Sequence, residues 1–242
     1  MPKDIAVVTG ASGGIGRAVA KAIHEKSEGE IHVCLHCRGN QKSAEALRAE
    51  IPGSFVVQAD LSSAAGRKAL LDAVIKEGAP YILVNNAGVD KPHEPALQIS
   101  EASFDAILGV NLKSPALLMR DFGKEMAASG AGVIVNVSSV LARTALVGSA
   151  LYRASKAALE ALTKQFAAEL GPRGVRVNAV APGFIETPMT EAIAPEVKNK
   201  ILSQIALGNF GAPEAVAQAV CHLIENDYLN GAVLTVDGGM GL

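Results

Sequence analysis

Two hydrophobic periods alternate along this chain. Short, β-branched apolar runs at IAVVT (5–9), IHVCLH (31–36), SFVVQ (54–58), YILVN (81–85), GVIVNVS (132–138), VRVNAV (175–180) and AVLTV (232–236) predict strands. Between them, apolar positions recur at three and four residues, which predicts helices over 15–27, 41–50, 64–77, 101–128 and 150–170, with helical patches near 195–206 and 213–225. Strands that are apolar at nearly every position are covered on both faces, and a helix between two strands carries the chain back so that both run the same way. The expected fold is therefore α/β: a doubly wound, mostly parallel seven-stranded sheet with helices on both faces. No repeat, low-complexity tract or Pro/Gly-rich linker divides it, so residues 1–242 are expected to form a single domain.

Composition narrows the function more than the fold. With 49% hydrophobic residues the chain can bury a large core, and 22 basic against 24 acidic residues leave a formal charge of −2. That balance offers no field for a nucleic acid or an anionic membrane surface, and it favours small-molecule chemistry. The opening MPKDIAVVTG reaches its first glycine too soon for a signal-peptide core or a membrane span, so a cytoplasmic protein is expected. Three cysteines, Cys34, Cys37 and Cys221, are a sparse, odd set of the kind found in reducing compartments. Cys34 and Cys37 lie three apart on a strand and point to opposite faces, which argues against a redox pair. His32 and His36 share a strand face but stand roughly 13 Å apart, at about 3.3 Å per residue. They cannot share a metal; solvated or packed histidines account for them, and no metal site is expected.

The first strand ends in TGASGGIGRAVA, where Gly10, Gly13, Gly14 and Gly16 mark the passage from strand to helix. Such glycines let the backbone turn tightly and approach a dinucleotide pyrophosphate, held by the exposed N–H groups of a helix N-terminus. The spacing departs from G-x-G-x-x-G, and a turn that only packs a helix on a sheet is the alternative. A nucleotide reading makes the domain Rossmann-like, with Gly10, Ser12, Gly14, Ile15, Gly16 and Arg17 at the cofactor. Where an NAD-binding fold places a ribose-binding acid, at the end of the second strand, this chain has Cys37-Arg38. Arg38 and Arg17 would suit a 2′-phosphate, so NADP(H) is expected over NAD(H), although each arginine alone also reads as a solvated surface residue. Asp60 and Leu61, in QADLS, are candidates for the adenine, with a helix N-cap as the alternative for Asp60. The run VNNAG brings Asn85, Asn86, Ala87 and Gly88 to the end of the fourth strand, where amides face a ligand crevice or stabilise a turn.

In LYRASKA, Tyr152 and Lys156 lie four apart, on one helix face. An ammonium beside a phenol favours the phenolate and draws a group of ordinary pKa about 10 towards a useful range. The neighbours Ala154, Ser155, Ala157 and Ala158 leave room for another body to come close.

Together these features carry a resemblance. T-G-x-x-x-G-x-G, N-N-A-G, a serine thirteen residues before Y-x-x-x-K, and P-G after the sixth strand stand in the order and spacing of the short-chain dehydrogenase/reductases. Within them the chain is most similar to the bacterial 3-oxoacyl-[acyl-carrier-protein] reductases, by TGASGGIGRA, VNVSSV, YRASKAAL, RGVRVNAVAPGFIETPM and VDGGM. The resemblance implies NADPH-dependent reduction of a 3-oxoacyl thioester, on acyl carrier protein or CoA. In it Tyr152 is the general acid, Lys156 binds the nicotinamide ribose and lowers the tyrosine pKa, and Ser139 binds the substrate carbonyl. Asn111, in GVNLKSP, would hold a water that links the lysine to solvent. In APGFIETPM, Pro182 and Gly183 make a sharp turn, the Ile185 backbone reaches the nicotinamide carboxamide, and Thr187 contacts the carboxamide or the pyrophosphate. Residues 184–207 are expected to order over the cofactor.

The same resemblance marks departures. Arg173 matches one carrier-protein-binding arginine, but the segment that would supply the other, MAASGAG (126–132), has no basic residue, and Asn209 stands where these reductases usually have Arg. A reductase or dehydrogenase for another ketone or secondary alcohol therefore stays open, as does a catalytically silent NADP-binding sensor. The resemblance also implies a homotetramer built on the long helices and the last strand.

Overall fold

The computed structural model describes residues 3–90, 94–191 and 193–241. Its elements run β1 (Asp4–Val8), α1 (Gly14–Lys26), β2 (His32–Cys37), α2 (Gln41–Glu50), β3 (Phe55–Gln58), α3 (Ala64–Glu77) and β4 (Ala79–Asn85). They continue with α4 (Glu101–Leu108), α5 (Ser114–Ser129), β5 (Gly132–Val137), α6 (Ala150–Leu170), β6 (Val175–Pro182), α7 (Pro188–Glu191), α8 (Pro195–Leu202), α9 (Pro213–Glu225) and β7 (Val233–Val236). The seven strands form one sheet in the order β3-β2-β1-β4-β5-β6-β7. Every pairing is parallel, so the sheet is wholly rather than mostly parallel, and the domain is a single α/β Rossmann-like one.

Alternate residues of each strand face opposite layers. Ala6, Val8, Val33, Leu35, Val84, Val135 and Val180 pack against Val19 of α1, Leu47 of α2 and Val216 and Val220 of α9. Ile5, Val7, Leu83, Ile134 and Val177 pack on the other side against Leu70 of α3, Phe122 of α5 and Leu159 of α6. A third, smaller cluster of Ile201, Ile205 and Phe210 lies apart from both, beyond β6.

The expected helix over 101–128 is not continuous. Between α4 and α5, residues Gly109–Lys113 form one π-helical turn, in which the Ser114 N–H reaches back five residues to the Gly109 carbonyl. Pro115 follows and has no N–H to offer the Asn111 carbonyl four residues earlier, so the regular α ladder cannot close there. The turn carries Asn111 inward, where it is buried.

Strand order reverses between β1 and β4, which opens a crevice at the carboxyl ends of the strands. No helix among the described residues is long and apolar enough to cross a membrane.

Candidate active site

That crevice is a cleft of about 560 Å³. One wall is the loop after β1. Gly10 and Gly14 hold φ of 67° and 54°, a region that side chains disfavour. At Gly16 a Cβ would sit 2.3 Å from the Gly10 carbonyl oxygen, so α1 crosses the loop closer than any side chain permits.

This wall is fastened by polar bonds. The Thr9 hydroxyl accepts from the backbone N–H groups of Asn86 (2.9 Å) and Ala87 (3.0 Å). Asn86 Nδ2 donates to the carbonyls of Thr9 (2.8 Å) and Gly10 (3.2 Å). His36, buried at the end of β2, accepts from the Gly10 N–H at Nδ1 (3.1 Å) and lies 3.0 Å from the Ala59 carbonyl at Nε2. Asn85 does not face the crevice: its amide turns under the sheet to Asn136 Oδ1 at 2.9 Å, because successive strand residues point to opposite faces.

The outer end of the cleft is lined by Ser12, Arg38, Gly39, Asn40, Asp60, Leu61 and Ser62. Asp60 accepts from the Ser62 N–H (3.0 Å) and hydroxyl (2.7 Å), and those bonds hold its carboxyl below the usual range. The N-cap of α3 is Ser63, which accepts from the Gly66 N–H, so the capping alternative for Asp60 falls. Buried Arg67 donates to the Leu61 (2.7 Å) and Ser62 (2.9 Å) carbonyls and anchors this rim from behind. Arg17 is not at the cleft: its guanidinium is drawn onto Glu50 of α2 across the helix surface.

At the inner end stand Ser139, Tyr152 and Lys156. Ser139 stands beside the Tyr152 hydroxyl and favours its ionised form, against the larger effect of burial. Lys156 is buried, its Nζ donating to the Val137 carbonyl (2.7 Å) and lying 5.6 Å from the Tyr152 ring centre. Burial dominates both groups. It pushes the Tyr152 phenol up to about 12 and draws the Lys156 ammonium down to about 8. Desolvation is the largest influence on the phenol and acts against the lowering expected from Lys156. Ser138 is tied away from the phenol, donating to Glu160 (2.9 Å), whose other oxygen pairs with Arg143 (3.1 Å). This leaves Ser139 as the serine that acts on Tyr152.

Asn111 lies one layer behind the cleft. Its amide accepts from the Val89 N–H (2.8 Å) and donates to the Val89 carbonyl (2.7 Å) and Ser155 (3.3 Å). The side chain thereby clamps the segment after Gly88 beside Lys156, while the Asn111 backbone carbonyl receives no N–H from Pro115 four residues on.

The facing wall is the segment after β6: Pro182, Gly183, Ile185, Thr187, Pro188, Met189 and Thr190. The Thr190 hydroxyl lies 2.6 Å from the Ile185 carbonyl, closing a tight turn, and Phe184 stacks on Phe210 with ring centres 5.5 Å apart. The Thr187 methyl would lie 3.1 Å from a Cβ placed on Gly14, so the two walls nearly meet. The structure thus brings Gly10, Ser12, Gly14, Ile15, Arg38, Asp60, Leu61, Asn86, Ala87, Gly88, Ser139, Tyr152, Lys156, Pro182, Gly183, Ile185 and Thr187 to one cleft, and leaves Gly16, Arg17 and Asn111 outside its lining. His36, Asn40, Val137 and Met189 join the lining with no sequence signal beyond their nearness to the motifs.

Residues 10–241 match the family model described as enoyl-(acyl carrier protein) reductase. The chain belongs to the short-chain dehydrogenase/reductase family. As a member it is an oxidoreductase acting on CH–OH groups with a nicotinamide cofactor. It is 37% identical to the 3-oxoacyl-[acyl-carrier-protein] reductase FabG of Staphylococcus aureus Mu50, an alignment covering 97% of each chain. The protein of the same name from Aquifex aeolicus is 38% identical, over 98% of this chain and 96% of that one. A solved structure described as ribose-5-phosphate isomerase from Brucella melitensis 16M superposes with a TM-score of 0.87 at 32% identity, covering 98% of this chain and 91% of that one. One fold thus occurs under unlike names, and function has to be argued from the site.

Proposed function

We propose that this short-chain reductase converts a 3-oxoacyl thioester, carried by acyl carrier protein or CoA, to the 3-hydroxyacyl thioester with NADPH. The observation that carries the reading is the inner end of the cleft, where the Tyr152 phenol, next to Ser139, stands beside a buried lysine. When bound there, the nicotinamide supplies the hydride. Tyr152 gives its proton to the substrate carbonyl oxygen as that oxygen gains negative charge, and Ser139 donates a hydrogen bond to the same atom. A phenol held at about 12 stays protonated throughout the neutral range, as an acid must. Lys156, still charged below about 8, favours the developing negative charge and offers its ammonium to a ribose hydroxyl. Reduction is therefore expected to fall above pH 8, as Lys156 loses its proton.

The glycine wall fits a dinucleotide: its turns need positive φ and its helix sits too close for side chains. Arg38 lies exposed at the outer rim, next to Asn40 at the N-terminus of α2 and with no carboxylate at the strand end. This supports NADPH over NADH through guanidinium–phosphate pairing. Arg17 is paired with Glu50 on the helix surface, which leaves Arg38 as the arginine lining the rim. Exposed Arg173 is available to an acidic carrier, while the 126–132 segment offers no charge and the Asn209 amide is spent on the Phe210 carbonyl (2.8 Å). The exposed alanines of α6, Ala154 and Ala157, and Leu234 on edge strand β7 support assembly as a homotetramer.

The test follows NADPH oxidation with acetoacetyl-CoA and with acetoacetyl carrier protein, for wild type and Tyr152→Phe. Turnover of either thioester with a loss of about 10²–10⁴ in kcat for the Phe variant supports the reading. No turnover of either, with NADPH still bound, moves the substrate to another ketone or secondary alcohol; an unaltered Phe variant removes Tyr152 from the chemistry.

A further inference from the structure

Among the five histidines, His36 is buried, lines the cleft, and has no part in the chemistry above. Its two ring nitrogens are spent in opposite directions. Nδ1 accepts from the Gly10 N–H at 3.1 Å, so the ring proton belongs on Nε2, which then donates to the Ala59 carbonyl at 3.0 Å. Burial favours this neutral ring, against the pull of nearby Asp60. The backbone of the same residue does related work: the His36 carbonyl accepts from the Ala11 N–H at 2.9 Å, and the next carbonyl, of Cys37, accepts from the Ala59 N–H at 3.0 Å. Two successive amides of the glycine loop are therefore fixed by one residue of β2, and Ala59, the residue before Asp60, is fixed by the same turn of chain.

We propose that His36 is a positioning residue for the nucleotide: its ring ties the glycine loop to the end of β3 and so preforms the wall on which the dinucleotide lies. Gly10 holds φ of 67°, a conformation open to many neighbouring states in a glycine, and an acceptor on its N–H selects one of them. Asn86 holds the carbonyl side of the same residue, so the loop is gripped from both strands that flank β1. Loss of the His36 ring frees the amide side alone. The inference rests on the reading of the cleft as a dinucleotide site.

The amide side chains of asparagine and glutamine separate the two bonds. In His36→Asn the side chain is short enough to accept from the Gly10 N–H only, while in His36→Gln the longer amide reaches the Ala59 carbonyl with its N–H and leaves Gly10 unpaired. NADPH dissociation constants would be measured by nucleotide fluorescence for wild type, His36→Ala, His36→Asn and His36→Gln, together with hydrogen exchange at the Gly10 amide. His36→Ala should bind NADPH about tenfold more weakly, the scale of one lost hydrogen bond, with Gly10 exchange accelerated. His36→Asn should recover most of that affinity and protection; His36→Gln should not. Equal affinity in wild type and His36→Ala, or an asparagine variant no better than the glutamine one, overturns the proposal. Should the alanine variant fail to fold, the other two decide alone. Wild-type protein that binds neither NADPH nor NADH fails the dinucleotide reading itself, and is distinct from tight wild-type binding that His36 does not affect.

Discussion

The two walls of the cleft are built from different interactions. The glycine wall is cross-linked by directional bonds from Thr9, Asn86 and His36 and is overlain by α1 at a distance that leaves no space. The wall after β6 is bonded at its root, by the Gly183 N–H on the Val236 carbonyl (2.9 Å) and the bridge between Ile185 and Gly211, but its outer part rests on a small apolar cluster of Ile201, Ile205 and Phe210, with Phe184 stacked on it. Directional bonds specify one geometry, whereas a few apolar contacts permit several at similar cost. On the proposed reading, a nucleotide common to many reactions lies on the first kind of wall, and the outer part of the second yields while substrate enters and leaves.

A pair of glycine substitutions probes the contrast most severely. Gly16→Ala forces a methyl against the Gly10 carbonyl oxygen at 2.3 Å, backbone against backbone, and should weaken NADPH binding by about 10–100-fold, the range of overpacking costs. Gly211→Ala meets only the far end of Ile185 at 2.9 Å, and binding should change by less than about threefold. Comparable losses in titrations of the two variants would erase the distinction between the walls.

Lys156 tests the cost of the inner end. Holding it near 8, below an ordinary 10.5, penalises the folded state by about 3 kcal/mol at neutral pH, partly offset by its bond to Val137. The folded protein binds fewer protons than the unfolded chain between these values, so the penalty is full below pH 8 and fades as pH rises to 10.5. Lys156→Met should therefore abolish turnover yet raise Tm by about 2–6 °C at pH 7, with the gain shrinking above pH 8 in calorimetric scans. A lower Tm for the variant would show that the Val137 bond outweighs the burial.

The mildest global effect is expected at Phe210→Ala. Its apolar contacts lie in the outer cluster, with Lys198 over its ring, so overall stability should fall by about 1 kcal/mol or less while residues 184–210 become more open to protease. NADPH should restore protection if the segment closes over the nucleotide; proteolysis at an unchanged rate would separate this wall from ligand binding.

Much of this arrangement was legible in the chain. Strand and helix positions followed from apolar period, because buried strands and amphipathic helices impose repeats that survive without knowledge of their partners. The glycine loop and the Tyr152–Lys156 spacing were legible for the same reason: each depends on neighbours within a few residues. Whatever required a distant partner was missed. The pairing of Arg17 with Glu50 of α2 and the bonds of Asn111 to Val89 and Ser155 each join residues distant in the chain. The π turn at Gly109–Lys113 was hidden inside a helical period that a single displaced residue hardly alters.

Local periodicity and spacing were thus enough to specify the parallel sheet, the glycine loop and the Tyr152–Lys156 pair, while Ser139 followed from the family resemblance. The state of those groups came from the assembled fold. A phenol pushed up and a lysine drawn down are consequences of desolvation by segments far away in the chain, and a histidine becomes a strut only when β1, β2 and β3 align their ends. Burial and hydrogen-bond partnership belong to the assembled neighbourhood, and no residue carries them alone.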